Sequence, residues 1–294
     1  MNSLTASFTP DSSGTSPKQS EYIPHLKVND GYEIPLLAYG LGTTRSGEDA
    51  EKVIDLTVKA IKNGYYHLDG AQSYKNETEL GIAIKKSGVD RAKLFVTTKL
   101  QNVNCDVPTT FAKSLTRLGL SYVDLYLIHA PFSAKSPEQL QKTWADLEAI
   151  QASGRGAARV TPAVNQIEYH PYLHQASDEL LDFCRERKIA VAAYGPLTAV
   201  TKARPGPCDD VYAALASKYG VPEGDIALRW CIDQGIVAIT TSGSEQRLQG
   251  YMNRLPAFKL TPKEIETLAE EGNKKHFRGF WTQNYAADDS RLRN

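Results

Sequence analysis

Three successive apolar runs in this chain each end on a residue that can hold or pass a proton. Tyr66 to Leu68 ends on Asp69, Leu94 to Thr98 ends on Lys99, and Leu125 to Ile128 ends on His129. Each run is followed by a segment whose apolar residues recur at helical spacing. Strands that alternate with helices in this way specify a parallel sheet covered by helices. The interior of a parallel strand is apolar on both faces, so a charged residue recurring at the strand terminus belongs to the rim. In an α/β barrel every strand points its carboxyl end at one rim, where the chemistry is assembled. The expected fold class is therefore α/β, a TIM-type (β/α)8 barrel.

Reading along the chain, Met1 to about residue 22 is rich in Ser and Thr and reads as a disordered tail, followed by a single barrel domain over 23–294. Leu26 to Pro35 is a short hairpin turning at Asn29-Asp30-Gly31. A strand Leu36–Leu41 and a helix Asp49–Asn63 make the first βα unit. The Asp69 strand leads through a loop holding Tyr74 into a helix opened by Asn76-Glu77. A helix Thr109–Leu118 precedes the His129 strand. Ser136-Pro137-Glu138-Gln139 is a helix start with a capping box, and Gly154 marks that helix's end. Further on come the strand Pro162–Pro171, helix Asp178–Arg187 and strand Ala190–Tyr194 running into Gly195-Pro196-Leu197. Helices near Val211–Tyr219 and Glu223–Gln234, strand Ile236–Thr240 and a helix opened by Thr261-Pro262-Lys263-Glu264 complete the rhythm. The aromatic segment Phe277–Tyr285 is a tail expected to fold over the active-site rim.

Bulk properties remove several function classes. Lys plus Arg and Asp plus Glu number 34 each, so no net charge favours a phosphate backbone or an anionic membrane. No nucleic acid or membrane partner is expected. The four cysteines, Cys105, Cys184, Cys208 and Cys231, are irregularly spaced without a C-x-x-C pair, which argues against a disulfide framework or a zinc site and for a reducing, cytoplasmic setting. No apolar run reaches the length of a membrane-spanning helix, and the first residues have no apolar signal core.

Taken alone, Asp69 reads as a turn-forming loop acid and Tyr74 as a cover for the helix start. Likewise Thr241-Ser242-Gly243-Ser244-Glu245-Gln246-Arg247 reads either as a capped helix start or as a phosphate site made of N–H groups, hydroxyls and an Arg.

The motifs together change that balance. His67-Leu68-Asp69-Gly70-Ala71 with Tyr74 and Asn76-Glu77, the strand ending at Lys99, Asp124-Leu125-Tyr126-Leu127-Ile128-His129, and Val164-Asn165-Gln166-Ile167-Glu168-Tyr169-His170-Pro171 resemble the aldo-keto reductase family. The resemblance runs from about Ile23 to the end. Thr240-Thr241-Ser242 and the aromatic tail are most similar to its fungal ketoreductase branch. It implies an NADPH-dependent reductase (NADH being the alternative) that converts a small aldehyde or ketone to an alcohol, acting as a monomer. Tyr74 is then the general acid, Lys99 the cation that stabilises its phenolate, Asp69 the partner that positions Lys99, and His129 the donor that orients the carbonyl oxygen. The resemblance assigns the cofactor to Gly42, Thr43, Asp69, Asn165, Gln166, Tyr194, Gly195, Leu197, Ser242 and Arg247. Tyr194 would stack on the nicotinamide, Gln166 and Asn165 hold its carboxamide, and Ser242 and Arg247 meet the 2′-phosphate. Substrate choice is expected in loops and tail, including Phe132, Phe280 and Trp281.

Two departures stand out. Thr241 occupies a place where many members carry a Lys for the 2′-phosphate, leaving that contact to Arg247. Between Gly154 and Pro162 the family's strand and helix, with its Ser-Asn pair, is missing, so seven strands are recognisable. Either seven strands close imperfectly, Ala157–Val160 substitutes for the lost strand, or the sequence reports a defective gene product. A catalytically impaired barrel that only binds nucleotide or a partner protein is the competing expectation.

Overall fold

The computed structural model describes residues 24–42, 45–152 and 161–285 of the chain. They form two compact units, each assembled from separated stretches. The first comprises Ala38–Ala163 with Thr241–Gln249. The second comprises the chain up to Leu37, Val164–Thr240, and the part from Gly250 onward. The expected Gly154 helix end and the Ala157–Val160 strand lie outside the described residues.

At the start of the second unit, β1 (His25–Lys27) and β2 (Glu33–Pro35) pair antiparallel, with His25 opposite Pro35. The turn closes through Gly31 N–H to the Val28 carbonyl at 3.0 Å, and Gly31 sits at φ +93°. That left-handed conformation is open to glycine, which makes Asp30-Gly31 the turn the sequence announces.

The first unit then alternates strand and helix: β3 (Leu37–Gly40), α1 (Ala50–Lys62), β4 (His67–Asp69), α2 (Glu77–Ser87), β5 (Phe95–Leu100), α3 (Val107–Leu118), β6 (Leu125–Ile128) and α4 (Pro137–Ala152). Its strands are all parallel, in the order β6-β5-β4-β3. α1 forms because Asp49 accepts from the Lys52 N–H at 3.1 Å, and because Val53, Leu56, Ala60 and Ile61 bury one stripe. The register has a consequence for chemistry. Asp69 is level with Thr97, and Lys99, two residues on, is level with Leu127. His129 lies two residues past Leu127. Successive side chains of a strand alternate between faces, so steps of two leave Asp69, Lys99 and His129 directed to one face.

The second unit continues with β7 (Val164–Glu168), α5 (His174–Glu186), β8 (Ala190–Tyr194), α6 (Thr198–Thr201), α7 (Asp209–Tyr219), α8 (Glu223–Ile232) and β9 (Ile236–Thr240). Its parallel strands run in the order β9-β8-β7. Helix α9 (Glu245–Arg254) begins in the first unit and ends in the second; α10 (Pro262–Gly272) and the short α11 (Thr282–Tyr285) follow. Seven parallel strands are present among the described residues.

Several boundaries shift from expectation. Asp69 is the last residue of β4 rather than a loop residue, and His129 follows β6 instead of ending it. α5 starts at His174, a turn before Asp178. The helix opened at Thr261 forms as read, and Thr261 and Glu264 make a capping box at its start. At the start of α4, by contrast, Gln139 reaches past Ser136 and accepts from the Lys135 N–H at 2.8 Å.

Candidate active site

In the first unit the Lys99 ammonium is bound on three sides. It donates to Asp69 Oδ1 at 2.5 Å, to the Gly70 carbonyl at 2.8 Å and to the Tyr74 hydroxyl at 3.4 Å. The Lys99 and Asp69 side chains are 2% and 4% exposed. The Tyr74 and His129 rings meet edge to face with centroids 5.4 Å apart. The four strand-end and loop residues singled out in the sequence are therefore one cluster.

The cluster is held by short-range structure. Residues Gln72–Tyr74 form a 3-10 turn that ends at Lys75 in the left-handed region, φ +57°. Gln72 ties this turn down: its amide donates to Ser114 Oγ at 2.9 Å and Tyr126 OH at 3.3 Å, while its carbonyl accepts the Gln101 N–H at 3.0 Å. Buried Glu77 anchors the same region by accepting from Thr98 Oγ1 at 2.7 Å and Arg117 Nε at 2.7 Å. Asn76 donates to the Leu41 carbonyl at 2.9 Å, joining the start of α2 to the loop after β3. Ser73 Oγ lies 3.0 Å from His129 Nδ1. On that loop a β-carbon at Gly42 would stand 2.6 Å from Tyr74 Cζ, so glycine is needed for the phenol to lie where it does.

Electrostatics divide the roles. Burial raises the Tyr74 pKa above its ordinary value and outweighs the pull of the Lys99 cation, so the phenol holds its proton at neutral pH. For Lys99 burial opposes the charge, yet the Asp69 carboxylate, with Tyr74, keeps its pKa above the usual lysine range. His129 is lowered to about 4 by burial and then by Lys99, and is a neutral imidazole at pH 7.

The first unit also holds the Thr241–Gln249 stretch. Arg247 N–H donates to Ser244 Oγ at 3.3 Å, so Ser244 caps the start of α9, and Ser244 N–H in turn donates to Ser242 Oγ at 3.0 Å. Ser242 is buried and Arg247 exposed. Buried Arg45, which the sequence reading passed over, comes from the loop after β3, donates to Thr241 Oγ1 at 3.4 Å and pairs with Glu48. Its guanidinium brings positive charge to the threonine that stands in place of a lysine. Thr43 lies outside the described residues. A cavity of about 350 Å³ beside the turn is lined by Arg45, Glu48, Ser73, Lys75, Asn76 and Glu79.

In the second unit the strand register sets Glu168 beside Tyr194. By alternation Gln166 and Glu168 share one face of β7, and Asn165 takes the other. Asn165 there donates to Cys184 Sγ on α5 at 3.7 Å, so it is not brought together with Gln166. The Tyr194 ring meets Phe280 at 89° with centroids 5.5 Å apart. Gly195, at φ +66°, has no room for a β-carbon, which would stand 2.8 Å from Phe280. Leu197 caps α6. Glu168 was not expected to matter. It is fully buried, and its carboxylate accepts from the Gly279 N–H at 2.7 Å and the Phe280 N–H at 3.2 Å, with His170 Nε2 at 3.1 Å and Arg278 at 3.9 Å. A glutamate next to the strand's end was the available signal, but its partners lie in the tail.

The chain matches the model of the aldo/keto reductase family over residues 37–157 and again over 155–272. The two matches meet at residues 155–157, within the Gly154 to Pro162 segment singled out in the sequence. It is 33% identical over 275 residues to an NAD/NADP-dependent indole-3-acetaldehyde reductase of Schizosaccharomyces pombe, covering 85% of this chain and 96% of that protein. It is 33% identical over 307 residues to a glycerol 2-dehydrogenase (NADP(+)) of Saccharomyces cerevisiae, covering 87% and 95%. Among solved structures, a Bombyx mori aldo-keto reductase in complex with NADP aligns with a TM-score of 0.79 at 31% identity, covering 90% of this chain and 97% of that one.

Proposed function

Because the chain belongs to the aldo/keto reductase family, we propose that Tyr74 is the acid that protonates a substrate carbonyl oxygen. The fold class is accordingly α/β, a TIM-type barrel, with seven parallel strands among the described residues. The protein is an NADP-dependent oxidoreductase that reduces an aldehyde or ketone to an alcohol. When bound, the reduced nicotinamide supplies hydride to the carbonyl carbon.

The observation that carries the Tyr74 assignment is the Lys99 ammonium lying between the Asp69 carboxylate and the Tyr74 hydroxyl. A phenol held protonated by burial gives up its proton when a carbonyl oxygen gathers charge, and Lys99 stabilises the phenolate left behind. Asp69 keeps Lys99 charged and aimed. His129, neutral, hydrogen-bonds the carbonyl oxygen without competing as an acid.

The residues present fit a dinucleotide phosphate. Ser242, the N-terminal end of α9, Arg247 and Arg45 offer hydroxyl, N–H and guanidinium groups for the 2′-phosphate, which favours NADPH over NADH. We assign the nicotinamide ring to Tyr194, with Gly195 and Leu197 at the same strand end, and its carboxamide to Gln166. Asn165, turned to Cys184, takes no part in this reading. Gly42 and Thr43 remain the first-loop contact.

The substrate we infer is a small carbonyl compound, reduced by a cytoplasmic monomer with no nucleic-acid or membrane partner. The charge balance of 34 against 34 and four unpaired cysteines support that setting. Among the described residues no helix is long and apolar enough to cross a membrane. Purified protein is expected to oxidise NADPH in the presence of aldehydes or α-dicarbonyls. Tyr74→Phe should lower kcat by about 10²- to 10⁴-fold while NADPH still quenches intrinsic fluorescence with unchanged affinity. Equal turnover by the two proteins would remove Tyr74 from the role.

A further inference from the structure

We propose that Ser73 is a positioning residue that sets the tautomer of His129, its hydroxyl donating to Nδ1 so that the imidazole proton sits on Nε2. The inference rests on the reading of His129 as the donor to the carbonyl oxygen. Ser73 Oγ is 3.0 Å from His129 Nδ1. A neutral imidazole has one N–H, and the bond made at one nitrogen decides which of the two carries it. With Nδ1 engaged by the serine, any hydrogen bond from the ring to a carbonyl oxygen comes from Nε2, and it requires the proton there.

The residue type suits the task. A carboxylate or backbone carbonyl at the Ser73 position would draw the proton to Nδ1 and direct the Nε2 lone pair at the electron-rich carbonyl oxygen. A hydroxyl can donate instead. Burial and Lys99 lower His129 to about 4, so near neutral pH its tautomer, not its charge, is what remains to be set.

Both ends of the contact are fixed. Ser73 is the middle residue of the 3-10 turn that also carries Tyr74, and Gln72 pins that turn through Ser114, Tyr126 and the Gln101 N–H. His129 N–H is bound by the Leu100 carbonyl at 3.0 Å. One turn thus places the Tyr74 hydroxyl and, through Ser73, the ring of His129, whose centroids lie 5.4 Å apart. The two hydrogen-bond donors offered to the substrate oxygen are therefore oriented by a single rigid element.

The test is nitrogen-15 NMR of the imidazoles in the full-length protein without substrate, with His129→Gln identifying the His129 signals. The wild type should show a protonated Nε2 and an unprotonated Nδ1. In Ser73→Ala the His129 signals should move toward an average of the two tautomers. That variant's kcat/KM for a small aldehyde should fall about fivefold, the value of one neutral hydrogen bond. Ser73→Thr, which keeps the hydroxyl, should restore both readouts. A proton on Nδ1 in the wild type overturns the proposal, as does a Ser73→Ala variant with wild-type signals and wild-type kcat/KM. An inactive wild type with its proton on Nε2 would instead count against the reductase reading while upholding the tautomer.

Discussion

Removing the Asp69 charge should expose how much of the first unit's stability depends on the pairing at its centre. Lys99 and Asp69 are 2% and 4% exposed with 2.5 Å between Nζ and Oδ1. At an effective dielectric constant of about 20, the attraction at that distance is roughly 6–7 kcal/mol, most of it offset by the cost of taking both ions out of water. In Asp69→Asn that cost stays with Lys99 while the attraction is lost. The Gly70 carbonyl at 2.8 Å and the Tyr74 hydroxyl at 3.4 Å still receive the ammonium. The expected loss is therefore near the low end for breaking a buried pair, about 3 kcal/mol. Lys99→Met leaves the carboxylate unpaired and should cost a similar amount. The double variant buries no charge at this place, so its loss should be smaller than the sum of the two by about 3 kcal/mol. Urea unfolding of the four proteins, followed by intrinsic fluorescence, measures the cycle. Losses that add to within about 0.5 kcal/mol, or an Asp69→Asn loss under about 1 kcal/mol, would refute the reasoning.

Three other expectations follow from the geometry. His129 has a folded pKa of about 4, below its unfolded value near 6.5, so the unfolded state takes up its proton first; the stability this residue contributes is complete above about pH 6.5 and is lost as pH falls through 4, by at most about 3 kcal/mol. Urea midpoints between pH 7 and 4 should therefore fall more steeply for the wild type than for His129→Gln. Gly42→Ala sets a β-carbon 2.6 Å from Tyr74 Cζ and must move the phenol, so kcat should drop by about 10²-fold with the circular dichroism spectrum unchanged. Glu168→Gln weakens the clamp on the Gly279 and Phe280 N–H groups, which limited trypsin digestion should report as faster cleavage after Arg278, with a stability loss of about 2 kcal/mol.

What the sequence could determine is local or periodic. The Asp30-Gly31 turn, the helix opened at Thr261 and the strands Ala190–Tyr194 and Ile236–Thr240 all form as read. They depend on contacts a few residues apart or on a side-chain period. The identities of Asp69, Tyr74, Lys99 and His129 were legible for a related reason: polar residues closing apolar runs are visible without knowing what lies next to them. Their assembly was implied only by the family resemblance. It took the two-residue offsets of β4, β5 and β6 to direct three of them to one face, and register is a property of strand pairing, not of any strand's own sequence. The same separation explains what was missed. Gln72 meets Ser114 and Tyr126 42 and 54 residues on, Ser73 meets His129 56 residues on, and Glu168 holds a tail 111 residues away. Asn165 and Gln166, adjacent and alike in the sequence, are parted to opposite faces by a single step of the pleat. Composition and pattern thus determined which groups the chain brings to its chemistry, and only the tertiary structure decided which of them touch, because hydrogen bonds a few ångströms long join residues that the chain itself keeps far apart.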